Sequence, residues 1–386
     1  MAIFFNLPKQ SLLGRGALND LVGLLKTKNF SKALLVTDKG LVECGLVKQV
    51  TQLFEANQLD YVVYDKVQPN PSIQQVMAGK DVYLSHGCDY VIGLGGGSAI
   101  DAAKAINVVV HNPGSIADYV VGGRPISQPL APLVAITTTA GTASEATLFS
   151  IVTDIEKKLK FMIADPIVMA DIAVVDPELM LGLPKMTTAC TGMDALTHAV
   201  EAYVSNSANP LTDANALAAI NIIFEWLPIA SQQGGDIEAR EMMAYGQYLA
   251  GLAFNTAGVG LVHSMAHQMG ATHDLAHGLC NAILLPYVCE YNASHSDSTQ
   301  FKLAKLAHQL GFAKGSESLE TACNIFIREV LFLSEQCGVP RNFAEYQFSE
   351  ADIQQWLAPA LSDPCTSFNP VIPSASDVLG LYKKVI

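Results

Sequence analysis

The sequence predicts two domains of different class, an α/β amino-terminal domain over residues 1–183 and an all-helical carboxy-terminal domain over residues 184–386. The chain of 386 residues is longer than most single domains. Before Pro184, strand-like and helix-like segments alternate, which predicts a mostly parallel sheet with helices on both faces, of the Rossmann-like type that binds nucleotides. After Pro184, apolar residues follow a helical period and the strand signal almost disappears.

The individual elements follow from apolar runs and their periods. The predicted strands are KALLVTD (32–38), YVVYD (61–65), the apolar part of DYVIGLGGGS (89–98) and PLVAITTTAG (132–141). Helices are predicted near 46–57, 72–86 and 100–110, and then near 186–206, 209–230, 236–258, 260–272 and 299–311. We therefore place the domain boundary at MLGLPKM, near residues 180–185.

The composition excludes several classes of function. A formal net charge of -13 argues against nucleic acid as a partner. No uninterrupted apolar run approaches the ~20 residues that span a membrane, so we expect no membrane partner. The first residues, MAIFFNLPKQS, lack the pattern of a signal peptide. The eight cysteines are dispersed and form no CxxC pair, so we expect reduced thiols in a cytoplasmic protein.

A glycine-rich loop follows the third predicted strand. Gly95, Gly96 and Gly97 let backbone N–H groups approach an anion, and Ser98 opens a helix whose amino terminus attracts negative charge. The loop departs from the G-x-G-x-x-G fingerprint, because Ser98 stands where the third glycine would be. Its sequence predicts binding of a pyrophosphate; the alternative is a plain strand-to-helix turn.

Two other strand ends carry polar residues that suit the same ligand. Asp38 ends the first predicted strand, where a carboxylate can bind the adenosine ribose of NAD and repel the 2′-phosphate of NADP. The alternative for Asp38 is a helix cap. The run 137–142 ends another strand with hydroxyl groups and a glycine. Its alternative is an ordinary turn after a β-branched strand.

Four of the nine histidines lie within the fifteen residues 263–277. His263 and His267 stand at i and i+4, as do Asp194 and His198, so each pair shares one face of a helix. The neighbouring residues are small and apolar, which indicates buried helices. Buried polar groups without partners are costly, and a divalent metal ion would supply a partner. The alternatives are satisfied core histidines or an acid/base site without metal.

Several segments resemble the iron-containing, or group III, alcohol dehydrogenases. GGGSAIDAAK (95–104) and ITTTAGTASE (136–145) are similar to that family's two cofactor segments. Its two metal segments resemble GMDALTHAVEAYVS (192–205) and HSMAHQMGATHDLAHGLCNAILLP (263–286). QPNPS (68–72) and DPCTSFNP (363–370) also have counterparts, so the similarity covers nearly the whole chain. The sequences of these segments are most similar to those of the branch of lactaldehyde reductases and short-chain alcohol dehydrogenases.

The resemblance implies a role for each matching residue. It makes Asp194, His198, His263 and His277 the metal ligands and His267 the catalytic histidine near the nicotinamide. The implied cofactor contacts are Asp38, Asn70, Gly95, Gly96, Gly97, Ser98, Thr138, Thr139, Thr142 and Lys160. The implied substrate pocket contains Phe149, Phe254 and Cys365. His273 is an extra histidine, which we expect at the surface or beside the ligands, and Phe149 is bulky where some relatives carry a polar residue.

The resemblance also implies a fold and a reaction. The fold would be that of dehydroquinate synthase, and the protein a cytoplasmic homodimer. The reaction would be NAD-dependent oxidation of a short primary alcohol or reduction of an aldehyde, with a divalent metal polarising the oxygen. Fe²⁺ is the family expectation, and the ligand types would also accept Zn²⁺.

Other activities remain open at this stage. The chain could be a lactaldehyde, 1,2-propanediol or 1,3-propanediol oxidoreductase of the same family. A glycerol dehydrogenase or a dehydroquinate-synthase-like enzyme would share the fold, although the sequences of its phosphate-binding loop and metal segments would differ from those of this chain. A protein that binds metal and nucleotide without catalysis is the alternative from another class.

Overall fold

Six parallel strands form the central sheet of the amino-terminal unit, Met1–Gly182. The computed structural model describes residues 3–386. The sheet contains β1 (Gln10–Leu13), β2 (Lys32–Asp38), β3 (Asp60–Val67), β4 (Tyr90–Gly95), β5 (Leu133–Thr137) and, after a separate hairpin of β6 (Phe149–Asp154) and β7 (Leu159–Ala164), β8 (Ile172–Val175). The spatial order is β1-β8-β5-β4-β2-β3, and every adjacent pair is parallel. The predicted α/β class is confirmed.

Helices cover both faces of this sheet because its strands are apolar on both sides. The helices are α1 (Ala17–Leu25), α2 (Lys39–Glu43), α3 (Leu46–Ala56), α4 (Ile73–His86) and α5 (Gly97–His111). On β2, Ala33 and Leu35 belong to the core shared with α1 and α3, whereas Leu34 and Val36 belong to the core shared with α4 and α5. This alternation is the period of two that a strand buried on both faces requires.

The close approach of α5 to β4 fixes where the glycine loop lies. A methyl group on Gly93 of β4 would stand 3.0 Å from Cβ of Ala103 and 3.1 Å from Cα of Ile100. The chain passes from β2 outward to β3 and returns to β4 on the other side of β2. The carboxyl ends of β2 and β4 therefore flank a topological switch point, the place where open α/β sheets bind ligands.

Several strands lie outside the sequence expectations. β1 and β8 are four-residue strands, too short for a period to be recognised. β6 and β7 form an antiparallel hairpin rather than part of the parallel sheet. Because β1 precedes the first predicted strand, the expectation that the glycine loop follows the third strand was wrong, and it follows the fourth in chain order.

Helices alone, with short 3₁₀ turns, build the second unit, Leu183–Ile386, all of which the structure describes. They are α6 (Lys185–Val204), α7 (Pro210–Gln232), α8 (Ile237–Ala257), α9 (Leu261–His273), α10 (His277–His295), α11 (Asp297–Gln309), α12 (Leu319–Gln336), α13 (Glu350–Ser362) and α14 (Ala375–Val385). Most side chains of α6 are buried, so this helix runs through the interior of the unit. The predicted all-helical class is confirmed.

One helix of the described chain, α7, has the length and apolar character of a membrane span. The pair α8 and α9 passes the same test only if the 102° bend between them is ignored. α7 packs against α6 and α8, and core helices of globular proteins share such a composition. This feature is weak evidence for a membrane segment.

Candidate metal and nucleotide sites

Four potential metal ligands converge inside the helical unit. Asp194 and His198 come from α6, His263 from α9 and His277 from the first position of α10. One ligand atom from each lies within 4.8 Å of all the others. Oδ1 of Asp194 is 3.8 Å from Nε2 of His263 and 3.7 Å from Nε2 of His277. A carboxylate with three imidazoles is a donor set that suits Zn²⁺ or Fe²⁺.

The electrostatics of this cluster fit a cation. Burial raises the pKa of Asp194, although the neighbouring His198 acts in the opposite direction. The pKa of His263 lies well below its ordinary value, because burial and the charges of other histidines disfavour the imidazolium. Nδ1 of His198 is buried without a hydrogen-bond partner among the described residues. A cation would relieve the cost of burying the carboxylate among neutral imidazoles.

Gly278 allows His277 to approach the other three potential ligands. A methyl group at Gly278 would stand 2.4 Å from the carbonyl oxygen of Cys190 on α6 and 3.4 Å from Cβ of Asp194. No real Cβ tolerates the first of these distances, so only glycine lets the start of α10 lie against α6 in this way. The ligand geometry therefore depends on a contact between two helix backbones.

Glu201 is a neighbour of the cluster that the sequence reasoning missed. Its Oε2 lies 2.5 Å from Nδ1 of His263, and its Oε1 accepts a hydrogen bond of 2.7 Å from the backbone N–H of Val262. Burial raises the pKa of Glu201 to about 7, although hydrogen bonds from the backbone of Gly260 and of the first turn of α9 act in the opposite direction. The available signal was the spacing of Asp194, His198 and Glu201 at i, i+4 and i+7, which forms one stripe along α6.

Asn281 is a second neighbour that the sequence reasoning missed. Its Nδ2 donates to Oδ1 of Asp194 at 2.6 Å and lies 3.1 Å from Nε2 of both His263 and His277. Asn281 stands one turn after His277 on α10, and that spacing was the signal in the sequence. Its amide therefore contacts three of the four potential ligands.

His267 lies beside the cluster and is held by Asp363. Nδ1 of His267 is 2.9 Å from Oδ2 of Asp363, and its ring stacks on that of His277 with centroids 5.4 Å apart. Burial acts to raise the pKa of Asp363, but the charge and hydrogen bond of His267 outweigh it and lower the pKa. The backbone N–H of Cys365 donates to the same carboxylate, and burial raises the pKa of the Cys365 thiol. Asp363 was not predicted from the sequence.

Two further predicted residues are placed by ring contacts. Phe254 stacks on His198 with centroids 4.2 Å apart and an interplanar angle of 16°. His273 lies apart from the four potential ligands, with its Nε2 3.3 Å from Oδ1 of Asp352 and its ring against Phe348 and Trp356. His273 therefore ties the end of α9 to α13 and the segment before it.

In the amino-terminal unit, threonines lie against the glycine loop. Gly95 ends β4 with a φ of +153°, and its carbonyl accepts a hydrogen bond from the N–H of Thr138. A methyl group on Gly97 would stand 2.9 Å from Cγ2 of Thr142, and one on Gly96 would stand 3.3 Å from Cγ2 of Thr139. Side chains at Gly96 and Gly97 would crowd the two threonines, so glycine is required at these positions for steric reasons.

Asp38 and Asn70 border the same loop. Oδ1 of Asp38 accepts a hydrogen bond from Leu41 N–H and caps α2, so the capping role is real. Oδ2 of Asp38 faces Gly95 across the switch point, 3.7 Å from where a methyl group there would stand. Asn70, with a left-handed φ of 58°, donates its backbone N–H to Oγ of Ser98. The predicted residues at these strand ends thus surround one loop.

A buried lysine fixes the segment that leads into β6. Nζ of Lys104 donates to the carbonyl oxygens of Ser144, Thr147 and Phe149 at 2.6–2.8 Å. Burial lowers the pKa of Lys104 to about 8. The predicted contact Lys160 lies on β7, opposite Thr153. Phe149 is thus held in the amino-terminal unit by its backbone, whereas Phe254 and Cys365 belong to the helical unit.

Comparison with known proteins identifies the same family along both units. Residues 8–177 match the model of iron-containing alcohol dehydrogenases, and residues 188–386 match that of the carboxy-terminal part of the Fe-containing alcohol dehydrogenase family. The chain is 41% identical to the NAD-dependent methanol dehydrogenase of Bacillus methanolicus over 99% of both proteins.

Two other relatives point the same way. The chain is 42% identical to the lactaldehyde reductase of Escherichia coli strain K12 over 96% of both proteins. A crystal structure of a 1,3-propanediol oxidoreductase superposes with a TM-score of 0.96 at 36% identity and covers 100% of both chains.

The contact at Gly278 yields a prediction. Gly278→Ala should weaken the binding of a divalent metal about tenfold or more, because overpacking of ~1–3 kcal/mol moves the start of α10 away from α6. Competition of the full chain with a chromophoric chelator for Zn²⁺ measures the effect. Gly380→Ala on α14, where a methyl group meets nothing within 4 Å, is the control. Unchanged affinity would show that α10 can shift without displacing His277.

Proposed function

The chain belongs to the iron-containing alcohol dehydrogenase family, and from this premise we propose that it is an NAD-dependent alcohol dehydrogenase and aldehyde reductase for small primary alcohols. The observation that carries the proposal is the convergence of Asp194 with three imidazoles inside the helical unit. A structural role alone gives no reason to bury a carboxylate among neutral histidines.

Asp194, His198, His263 and His277 would hold the metal. When bound, a divalent cation polarises the alcohol or aldehyde oxygen and favours loss of the alcohol proton. The family name points to Fe²⁺, and imidazole with carboxylate also suits Zn²⁺. Asn281 and Glu201 orient the ligand side chains by hydrogen bonds.

The glycine loop would hold the pyrophosphate of NAD. Gly95, Gly96, Gly97 and Ser98 lead into α5, whose first backbone N–H groups and positive end favour an anion. Asp38 would bind the adenosine ribose through the oxygen that faces Gly95. When bound, NAD accepts the hydride from the alcohol carbon. The remaining proposed contacts are Asn70, Thr138, Thr139, Thr142 and Lys160.

His267 would handle the proton of the reaction. Asp363 engages its Nδ1, so Nε2 is the ring nitrogen that is available to accept a proton in alcohol oxidation and return it in aldehyde reduction. The partly buried position of His267 beside His277 supports this role. The carboxylate fixes the ring orientation, as a positioned general base requires.

The proposed substrate pocket is apolar. Phe149, Phe254 and Cys365 would bind a short alkyl chain by burying CH₂ groups at ~0.8 kcal/mol each. They offer few partners to a second hydroxyl, whose burial unpaired costs at least ~1 kcal/mol. We therefore favour ethanol to butanol over polyols. Lactaldehyde or a propanediol is the second candidate, because relatives of those names match nearly the whole chain.

We further propose that the protein works in the cytoplasm as a homodimer, with no nucleic acid or membrane partner. The net charge of -13 supports the exclusion of nucleic acid. Within residues 3–386, which contain all eight cysteines, no cysteine is in a disulfide, and a reducing compartment would keep them in that state. The dimer follows from the family resemblance alone, and sedimentation of the purified chain tests it.

Metal removal tests the central proposal. Chelator treatment should abolish oxidation of butanol by NAD, and Fe²⁺ or Zn²⁺ should restore it. His277→Ala should lose both bound metal and activity while the amino-terminal unit still binds NADH, measured by fluorescence. His295→Ala, an exposed histidine on the same helix, is the control. Full activity in metal-free protein would contradict the mechanism, and binding without turnover would favour a non-catalytic protein.

Asp38 should set the choice of cofactor. Asp38→Asn keeps an oxygen that can cap α2 but removes the charge that repels a 2′-phosphate. We expect the ratio of kcat/KM for NADPH over NADH to rise about tenfold, which corresponds to ~1.4 kcal/mol. Asp165→Asn, at another aspartate that caps a helical turn, should leave the ratio unchanged. If the ratio in Asp38→Asn equals that of the unmutated protein, Asp38 only caps α2 and does not select the cofactor.

Phe149 should set the preference between alcohols and diols. Phe149→Asn should lower kcat/KM for butanol relative to 1,2-propanediol by about tenfold, because an amide replaces apolar surface and offers hydrogen bonds. Phe332→Asn, at an exposed phenylalanine of α12, is the matched control. A preference for the diol in the unmutated enzyme would instead support the second candidate substrate.

A further inference from the structure

We propose that Glu201 is a positioning residue that sets the metal-binding form of His263, by holding the ring proton on Nδ1 so that Nε2 presents its lone pair to the cation. The inference rests on the proposed metal function of the cluster. It concerns a residue that makes no contact with the substrate or with the metal in that function.

The two ring nitrogens of His263 face different partners. Nδ1 lies 2.5 Å from Oε2 of Glu201. Nε2 points the other way, 3.8 Å from Oδ1 of Asp194 and 3.1 Å from Nδ2 of Asn281. A neutral imidazole carries one proton, and a nitrogen that binds a metal cannot carry it. An ionised carboxylate is an acceptor only, so Glu201 in its ionised form, placed at Nδ1, selects the form of His263 in which Nε2 is free to bind.

The position of Glu201 is itself fixed. Its Oε1 accepts the N–H of Val262 in the first turn of α9, where the helix dipole favours a negative group. A methyl group at Gly260 would stand 3.1 Å from that oxygen, so the glycine permits the approach. Glu201 is 5% exposed, so its carboxylate is held by protein groups rather than by bulk solvent. One carboxylate therefore links α6 to the start of α9 and to the ligand.

The net charge of the cluster gives a second reason to expect that Glu201 supports metal binding. A divalent cation with Asp194 and three neutral imidazoles carries a net charge of +1 in the interior. The carboxylate of Glu201, separated from the cation by one imidazole ring, brings the group to neutrality. Buried uncompensated charge is costly, so the arrangement favours retention of the cation. Within residues 3–386, Nδ1 of His198 has no such partner, and the ring of His198 instead stacks on that of Phe254.

Glu201→Gln separates this role from simple packing. The glutamine keeps the shape of the side chain, and its oxygen can still accept the N–H of Val262. Its amide nitrogen then faces Nδ1 of His263 as a donor. Nδ1 must become the acceptor and Nε2 must carry the proton, which blocks the metal-binding lone pair. The hydrogen bond to α9 survives while the required form of His263 is lost.

The experiment measures metal affinity in the full chain by competition with a chromophoric chelator for Zn²⁺. We expect Glu201→Gln to raise the Kd by ~10–100-fold, as loss of a group that orients a ligand histidine typically does. The thermal midpoint of the metal-free protein should change little. Glu225→Gln, at an exposed glutamate of α7, removes the same charge and should keep the original Kd.

A spectroscopic measurement keeps the proposal testable if the variant does not fold. The ¹⁵N shifts of the His263 ring in metal-free unmutated protein, recorded at a pH above the pKa of Glu201 and assigned by their loss in His263→Gln, report which nitrogen carries the proton. A proton on Nδ1 supports the proposal, and a proton on Nε2 overturns it. An unchanged Kd in Glu201→Gln overturns it while the proposed function stands. Failure of the unmutated protein to bind Zn²⁺ or Fe²⁺ overturns the proposed function and this inference together.

Discussion

The need to compensate a buried carboxylate organises the helical unit. Asp194 lies in the interior beside three histidines, where an isolated charge would be costly. Bringing these groups together requires α6, α9 and α10 to approach more closely than ordinary side chains allow, and Gly260 and Gly278 stand at the points of contact. The helix arrangement and the candidate metal site thus depend on each other, because the packing that buries the Asp194 carboxylate also brings the three histidines beside it.

The amino-terminal unit would bind the proposed anion by different means. Its glycine loop offers backbone N–H groups and the positive end of α5, and few charged side chains are needed. The loop depends on sterics, since Thr139 and Thr142 occupy the space that side chains at Gly96 and Gly97 would take. In the proposed function, one unit would therefore use main-chain dipoles for an anion, and the other would use side-chain lone pairs for a cation.

Periodicity was sufficient to predict the fold class and the long helices, because each long apolar run carries its own signal. Four-residue strands such as β1 carry too little pattern to be recognised. The i, i+4 spacing predicted that Asp194 and His198 would share a face, and the structure places them with His263 and His277; their role as ligands stays a prediction. Asp363 was missed because it lies 96 residues from His267, and only the folded chain brings them together.

Lys104, a buried lysine on α5, has a consequence for how this enzyme could diverge. Nζ of Lys104 donates hydrogen bonds to the carbonyl oxygens of Phe149, Ser144 and Thr147, so one ammonium group anchors the main chain at three points. A different side chain at position 149 would leave this hydrogen bond in place, because Lys104 contacts the backbone carbonyl and not the side chain. Because Phe149 is a proposed residue of the substrate pocket, a substitution there would change the lining of the pocket with the backbone still anchored, and we expect new substrate ranges to arise from this position.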